Sequence, residues 1–488
     1  MNVNTPIVDF LVEHKNKNPI SYHMPGHKGS EIYKKMGYGD FLNNIMECDI
    51  TEICGADNLF QAEGILKETQ DIYAELYDAK NSYLLINGTS GGIIAAILAS
   101  VPKGKKLIMA RNSHKSVFNA LSLADISPLY AYPDLIEKYG ISGSVPPNEI
   151  ERLLSENPEA EAVIIPSPNY YGICSDIKAI AKITNKYNKI LIVDQAHGAH
   201  LKMFSKFGIK GFPESAEEAG ADIVINSIHK TLASFTQSAI LNIMSDKVSK
   251  YLIEDKLQCI QSTSPSYLLM ASLGINAAIL IKHGHELMKE WCDNLNMFYE
   301  DAKSIEALEV IGKGPNMDWS KINFSFAKLG ITGGELEKLL IRDSNIFIEL
   351  YTGNLVMCMT GIGNTKKDLI ELLKSLKKIE IEYADKIDNY QKNISLNDKK
   401  VPFYKIGELY DIPRVKEQVP LMEAEGLICG SSIIPYPPGI PLVCPGEMID
   451  RETINYIKDL RESGEKVIGL NENSEIIVGA NERRKADI

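Results

Sequence analysis

A chain of 488 residues, 44% apolar and 24% charged, is long enough for about three structural units and too apolar to be mostly disordered. Its 52 Lys and Arg against 64 Asp and Glu leave a net charge of −12, which argues against nucleic-acid binding through a general basic surface and weakly favours cationic ligands. The eight cysteines, Cys48, Cys54, Cys174, Cys259, Cys292, Cys358, Cys429 and Cys444, form no Cys-x-x-Cys pair and read as reduced, mostly structural thiols.

The start, MNVNTPIVDFLVEHKNK, lacks the basic stretch and apolar run of a secretory leader, and no run reaches the ~18 apolar residues of a membrane span. A cytoplasmic protein with no membrane partner is expected. The first fifty residues read as irregular, with Gly and Pro around HMPGHKG. From Glu63 to Tyr77 the apolar residues fall at helical spacing. The run SYLLI then reads as a strand, ends in Asn87-Gly88-Thr89-Ser90-Gly91-Gly92, and passes into the helical IIAAILASV. Strand-like runs recur at 106–110, 162–166, 189–194 and 222–227, separated by helical patterns. Such alternation predicts an α/β fold with a mainly parallel sheet covered on both faces.

Beyond Pro265 the pattern predicts a long helix from Tyr267 to about Tyr299, strands at KINFSFA and NIFIEL, and an amphipathic helix in KKDLIELLKSLKKIEIEYADKI with a solvated lysine face. The expected division is an N-terminal segment (1–50), a large domain (51–285), a smaller α/β domain (286–392) and a C-terminal module (393–488).

Three segments carry chemistry, each after a strand. In Ser227-Ile228-His229-Lys230-Thr231 a lysine ends a buried strand, where desolvation lowers its pKa and makes the amine nucleophilic. Alone, such a lysine is more often a surface residue. Asp194, 36 residues earlier, opens DQAHGAH at the carboxyl end of another strand, where open α/β sheets bind ligands. It reads equally as a helix cap, and His197-x-x-His200 without a third ligand is a poor metal site. An acid paired with a nucleophilic lysine is nevertheless what pyridoxal 5'-phosphate requires. The NGTSGG turn offers two hydroxyls and a helix N-terminus to a phosphate, and it is neither a Walker loop nor a dinucleotide fingerprint.

Together these segments resemble the fold-type-I pyridoxal-phosphate decarboxylases acting on ornithine, lysine and arginine. The similarity extends through YHMPGHKG, TEICGADNLFQAEG, INGTSGG, RNSHKS, PNYYGI, DQAHGAH, SIHKT, QSTSPSY and PYPPGIPLVCPGE, from residue 22 to 447. The resemblance implies that Lys230 bonds covalently to the cofactor, that Asp194 holds the pyridine nitrogen, and that His114 stacks on the ring. It implies phosphate contacts from Thr89, Ser90, Ser227 and His229, with His197 near the ring hydroxyl. Thr263 is implied to reach the phosphate from a neighbouring subunit, in a homodimer or higher homo-oligomer. No metal is implied.

The chain departs from the family where relatives read Asp-Asp-Leu-His against Ala56-Asp57-Asn58-Leu59-Phe60 here, and where several carry a glutamate against Ser431. The expected form is the compact biosynthetic one, without a receiver-like domain. The expected reaction is decarboxylation of a basic amino acid, arginine ahead of lysine and ornithine, feeding polyamine synthesis. Acids or tyrosines, among them Tyr170, Tyr171, Tyr267 and Tyr436, would hold the distal cation. An aminotransferase or other lyase of the same fold, an idle cofactor-binding regulator, and a cofactor-free nucleotide scaffold are the rivals. None of Arg342, Arg414, Arg451, Arg461, Arg483 and Arg484 lies in a recognisable carboxylate-clamp motif.

Overall fold

The short apolar runs line up as one seven-stranded sheet in the computed structural model, which describes residues 5–384, 412–436, 439–462 and 466–480. The strands are β1 (Asn81–Leu85), β2 (Lys106–Ala110), β3 (Ser127–Ala131), β4 (Ala160–Pro166), β5 (Ile190–Asp194), β6 (Ile223–Asn226) and β7 (Ala239–Ile243). Their order is β3-β2-β4-β5-β6-β7-β1. Only β7 runs antiparallel to its neighbours; the other pairs are parallel. Successive side chains of β5 and β6 enter different cores: Ile192, Ile223 and Ile225 join Leu85 and Ile97 on one face, and Leu191, Val193 and Val224 join Ile165 and Ile180 on the other. Each such fully buried side chain contributes about 1.5–3 kcal/mol, so both faces must be covered by helices.

The first fifty residues are not irregular. Helix α1 (Pro6–Asn16) starts with proline in its first turn and buries no residue, although Ile7, Phe10 and Leu11 fall at helical spacing in the sequence. Ile20–Tyr22 pairs in parallel with Ile346–Ile348 and ties this segment to the second half of the chain. Helix α2 (Ile65–Tyr77) begins two residues later than the spacing suggested. The Asp57 carboxylate accepts the N–H groups of Glu63, Gly64 and Leu66 at 2.8–3.1 Å and fixes that start.

Helix α3 (Gly88–Ser100) starts within the glycine turn itself, and α4 (Lys115–Ala124) follows β2. Helix α5 (Tyr267–Asp301) spans 35 residues, two beyond the expected end. It is long and apolar enough by composition to cross a membrane, but 56% of its most apolar window is buried inside the fold, as befits a core helix. Residue 285 falls within it.

A second, antiparallel sheet contains β8 (Glu309–Val310), β9 (Lys321–Ser325), β10 (Leu350–Thr352) and β11 (Leu355–Met359) in the order β8-β9-β11-β10. Helix α6 (Lys366–Tyr383) packs Leu369, Leu372, Leu376 and Ile379 on the core and is started by a Thr365–Asp368 capping box. Beyond it, residues 416–479 build a small core of their own around Val419, Ile433, Ile457 and Val478. The boundary expected at 392/393 lies outside the described residues.

Candidate active site

The parallel strands deliver their carboxyl ends to one edge of the sheet, and the turns after them form a cleft of about 270 Å³. After β1 the chain turns at Gly88, whose φ of +65° suits glycine, and enters α3. A Cβ on Gly92 would lie 2.5 Å from Leu85 and 3.1 Å from Ile225, so only glycine lets this helix start settle on the sheet. Gly88, Thr89 and Ser90 line the cleft, and the Thr89 hydroxyl lies 3.3 Å from that of Ser227 at the end of β6. Two hydroxyls and the unsatisfied N–H groups of a first helical turn make an anion site.

Lys230 sits in the single helical turn that follows β6. Its Nζ is 2.8 Å from Nε2 of His197 and 5.6 Å from the centre of the Tyr170 ring. Burial brings its pKa down to about 8 against the opposing attraction of Asp194. Roughly a tenth of Lys230 is then free amine at pH 7, on the order of a hundred times the fraction of an ordinary lysine, as a nucleophile requires. His197 is buried and held neutral by burial and by the neighbouring Lys230 charge; its Nδ1 has no hydrogen-bond partner among the described residues.

Asp194 ends β5, 7% exposed, with Oδ1 accepting the Ala196 N–H at 3.1 Å. Burial pushes its carboxyl up, and Lys230 opposes that shift. No cation stands within ion-pair distance of it among the described residues.

His114 follows β2 and caps α4, its Nδ1 accepting the Ser116 N–H at 3.2 Å. The cap leaves the ring proton on Nε2, and burial, with Lys230 and Lys115, lowers the imidazole pKa to about 3. The capping role and a place in the cleft coexist. His229 donates from Nδ1 to the Ser238 carbonyl at 2.9 Å; burial outweighs that bond and brings its pKa down to about 4.

The structure thus brings Thr89, Ser90, His114, Asp194, His197, Ser227, His229 and Lys230 into one cleft. Thr263 is exposed and does not line it. His197 and His200 diverge: His200 faces Thr231 and Asp318 instead of the cleft. Of the four tyrosines, Tyr170 lines the cleft, Tyr171 packs with Leu350 and Met357, and the Tyr267 hydroxyl donates to the Asp57 carbonyl. The Tyr436 side chain lies outside the described residues. Ser431 does not line the cleft. Sequence reasoning gave no individual role to Met24, Asn112, Ile434, Ile440 or Ile468, which do. Four of these sit in or beside quoted motifs; Ile468 carried no signal.

A mainly parallel sheet with one reversed strand, bearing a desolvated lysine, a buried acid and imidazoles at its carboxyl edge, defines the fold-type-I pyridoxal-phosphate enzyme class. Lysine decarboxylase A from Pseudomonas aeruginosa shares this fold with a TM-score of 0.75 at 19% identity, over 97% of this chain and 80% of that one. The ureidoglycine–glyoxylate aminotransferase of Bacillus subtilis does so at 0.52 and 14%, over 68% and 90%. Residues 5–313 match the Orn/Lys/Arg decarboxylase major domain, and residues 412–486 match the C-terminal domain of the same enzymes. Arginine decarboxylase of Bacillus subtilis (strain 168) is 31% identical over 475 residues, 95% of each chain. The chain belongs to the Orn/Lys/Arg decarboxylase family of pyridoxal-phosphate-dependent carboxy-lyases.

Proposed function

We propose that this enzyme removes the α-carboxylate of arginine, with lysine and ornithine as the next candidates, and that the amine feeds polyamine synthesis in the cytoplasm. The observation that carries the reading is the Lys230 amine, lowered to about 8 and in contact with His197 in the cleft that Asp194 and His114 also line.

The donor set fits pyridoxal 5'-phosphate. A buried carboxyl with no contacting cation suits a protonated ring nitrogen, and the unpartnered His197 Nδ1 is a polar atom that a bound group would satisfy. Thr89, Ser90, Ser227 and His229 would hold the phosphate, His114 the ring face, and Lys230 the aldehyde carbon. When bound, the cofactor supplies the sink for the electron pair left by departing CO₂. Asp194 would hold the ring nitrogen protonated and so keep positive charge on that sink. Lys230 Nζ, hydrogen-bonded to His197 Nε2, would deliver the proton to Cα. Ile434, buried at the cleft wall, and Ile440 would limit the access of water to that step.

No arginine lines the cleft among the described residues, which favours releasing the α-carboxylate over clamping it as aminotransferases do. Arginine is placed first because relatives of nearly equal length, from Bacillus subtilis and Bacillus anthracis, are arginine decarboxylases at 31% and 30% identity. Tyr170 in the cleft also offers a ring to a planar guanidinium. A homodimer is proposed from Thr263, exposed away from its own chain's cleft, and from α1, which leaves Ile7 76% and Phe10 64% exposed. Arginine, lysine and ornithine, offered separately to the cofactor-loaded protein, should release CO₂ and the matching amine, arginine fastest. Norleucine turning over as well as these would overturn the basic-substrate reading.

A further inference from the structure

The C-terminal unit reaches the cleft through Ile434, Gly439, Ile440 and Ile468. Apolar packing alone does not hold it there. Arg111, the residue after β2, is 1% exposed. Its Nη1 donates to the Pro441 carbonyl at 2.8 Å; its Nη2 donates to the Leu442 carbonyl at 2.9 Å and to Glu447 Oε2 at 3.1 Å. Glu447, 3% exposed, accepts the Cys444 N–H on the same oxygen at 2.8 Å. The guanidinium carbon lies 5.6 and 5.4 Å from the Phe118 and Tyr130 rings.

A buried ion pair is a poor way to gain stability, since well-packed apolar residues often do as well. What a guanidinium adds is geometry, because a rigid fork can grip two successive carbonyls of one strand of chain. The gripped carbonyls directly follow Ile440 in the cleft wall, and Asn112, next to Arg111, lines the same cleft. The segment they hold supplies none of the residues expected to bind the cofactor.

We propose that Arg111 is a positioning residue, which with Glu447 seats residues 439–442 as the substrate-side wall of the cleft. The kinetic part of this proposal rests on the decarboxylase reading; the structural part does not. Arg111→Lys keeps the charge opposite Glu447 but cannot reproduce the two-carbonyl grip. Amide hydrogen exchange across 439–447 should then accelerate about 10-fold or more, while the central sheet exchanges as in the wild type. KM for the amino acid should rise about 10-fold or more with kcat within about 3-fold, since a misplaced wall costs binding geometry. Cofactor uptake, read by absorbance, should be unchanged.

The double variant Arg111→Met/Glu447→Met separates seating from stability. Its thermal midpoint should recover relative to Arg111→Met alone, while KM stays raised. Wild-type exchange and KM in folded Arg111→Lys would overturn the proposal, as would a KM that returns to wild type in the double variant. If the wild-type protein turns over no basic amino acid, the decarboxylase reading fails, and the exchange comparison alone decides whether Arg111 seats the wall.

Discussion

Two lysines flank His197 from opposite sides, and their surroundings differ in one respect. Lys321, in β9, is fully buried; its Nζ donates to Asp318 at 2.5 Å, to Ser320 at 3.4 Å and to the His197 carbonyl. Asp318 also binds the His200 ring at 3.1 Å, and His200 and Lys321 together hold its carboxyl well below the usual range despite burial. Lys230 contacts no carboxylate among the described residues; it meets the His197 ring, an imidazole that carries no charge to balance it, and faces Tyr170 at 5.6 Å. Burial with a contacting counter-ion gives a cation that holds the fold together. Burial without one gives an amine ready to react.

The comparison breaks most sharply on substitution of the two lysines. Lys230→Met should cut CO₂ release by ~10³-fold or more, because both the nucleophile and a proton donor are lost. It should leave the thermal midpoint equal or higher, since an ill-solvated amine is exchanged for an apolar chain. Lys321→Met should do the reverse in its main effect, costing about 3–5 kcal/mol of stability by leaving Asp318 charged and buried without its ammonium. Denaturant unfolding and CO₂ assays on both variants decide it; equal destabilisation would erase the distinction.

Asp194→Asn comes next. The proposed phosphate contacts are untouched and the acid is gone, so the barrier should rise by about 2.7–4 kcal/mol while cofactor retention changes little. A near-wild-type kcat would remove Asp194 from the chemistry.

The smallest effect is a matter of pH. An amine attacks only when unprotonated, so a lowered pKa moves reactivity to lower pH. In the cofactor-free protein, labelling of Lys230 by an amine-selective reagent should be half-maximal near pH 8, where burial has brought its pKa from 10.5. Exposed lysines should reach that point near their ordinary ~10.4. Lys321, 0% exposed, should stay unlabelled until the protein unfolds. Peptide mapping across the pH series reads all of these at once.

Much of this was legible locally. Lys230, Asp194 and the NGTSGG turn each stand at or just after the end of a mainly apolar strand, so their place at the sheet's carboxyl edge could be inferred from neighbours in sequence. Strand β7 was not legible: Asn242 interrupts its apolar run, and is satisfied by Ser82 and Glu217 from elsewhere in the fold. Helix α1 was not read either, although Ile7, Phe10 and Leu11 fall at helical spacing; the fold buries none of them. The role of Arg111 depends on partners that no local window contains, and Lys321, although its counter-ion Asp318 stands three residues away, also reaches a distant carbonyl. Glu447 lies 336 residues from Arg111, and the His197 carbonyl 124 from Lys321. Positions at strand ends could be read from sequence; a long-range ion pair such as Arg111–Glu447 could not.

The most direct test of the central claim is to load the protein with pyridoxal 5'-phosphate, reduce with borohydride, and map the modified peptide. The account predicts the phosphopyridoxyl group on Lys230 alone. Its appearance instead on Lys28, which burial also brings down to about 8 but whose ammonium is held by the His23 and Met359 carbonyls, or on any other lysine, would contradict it.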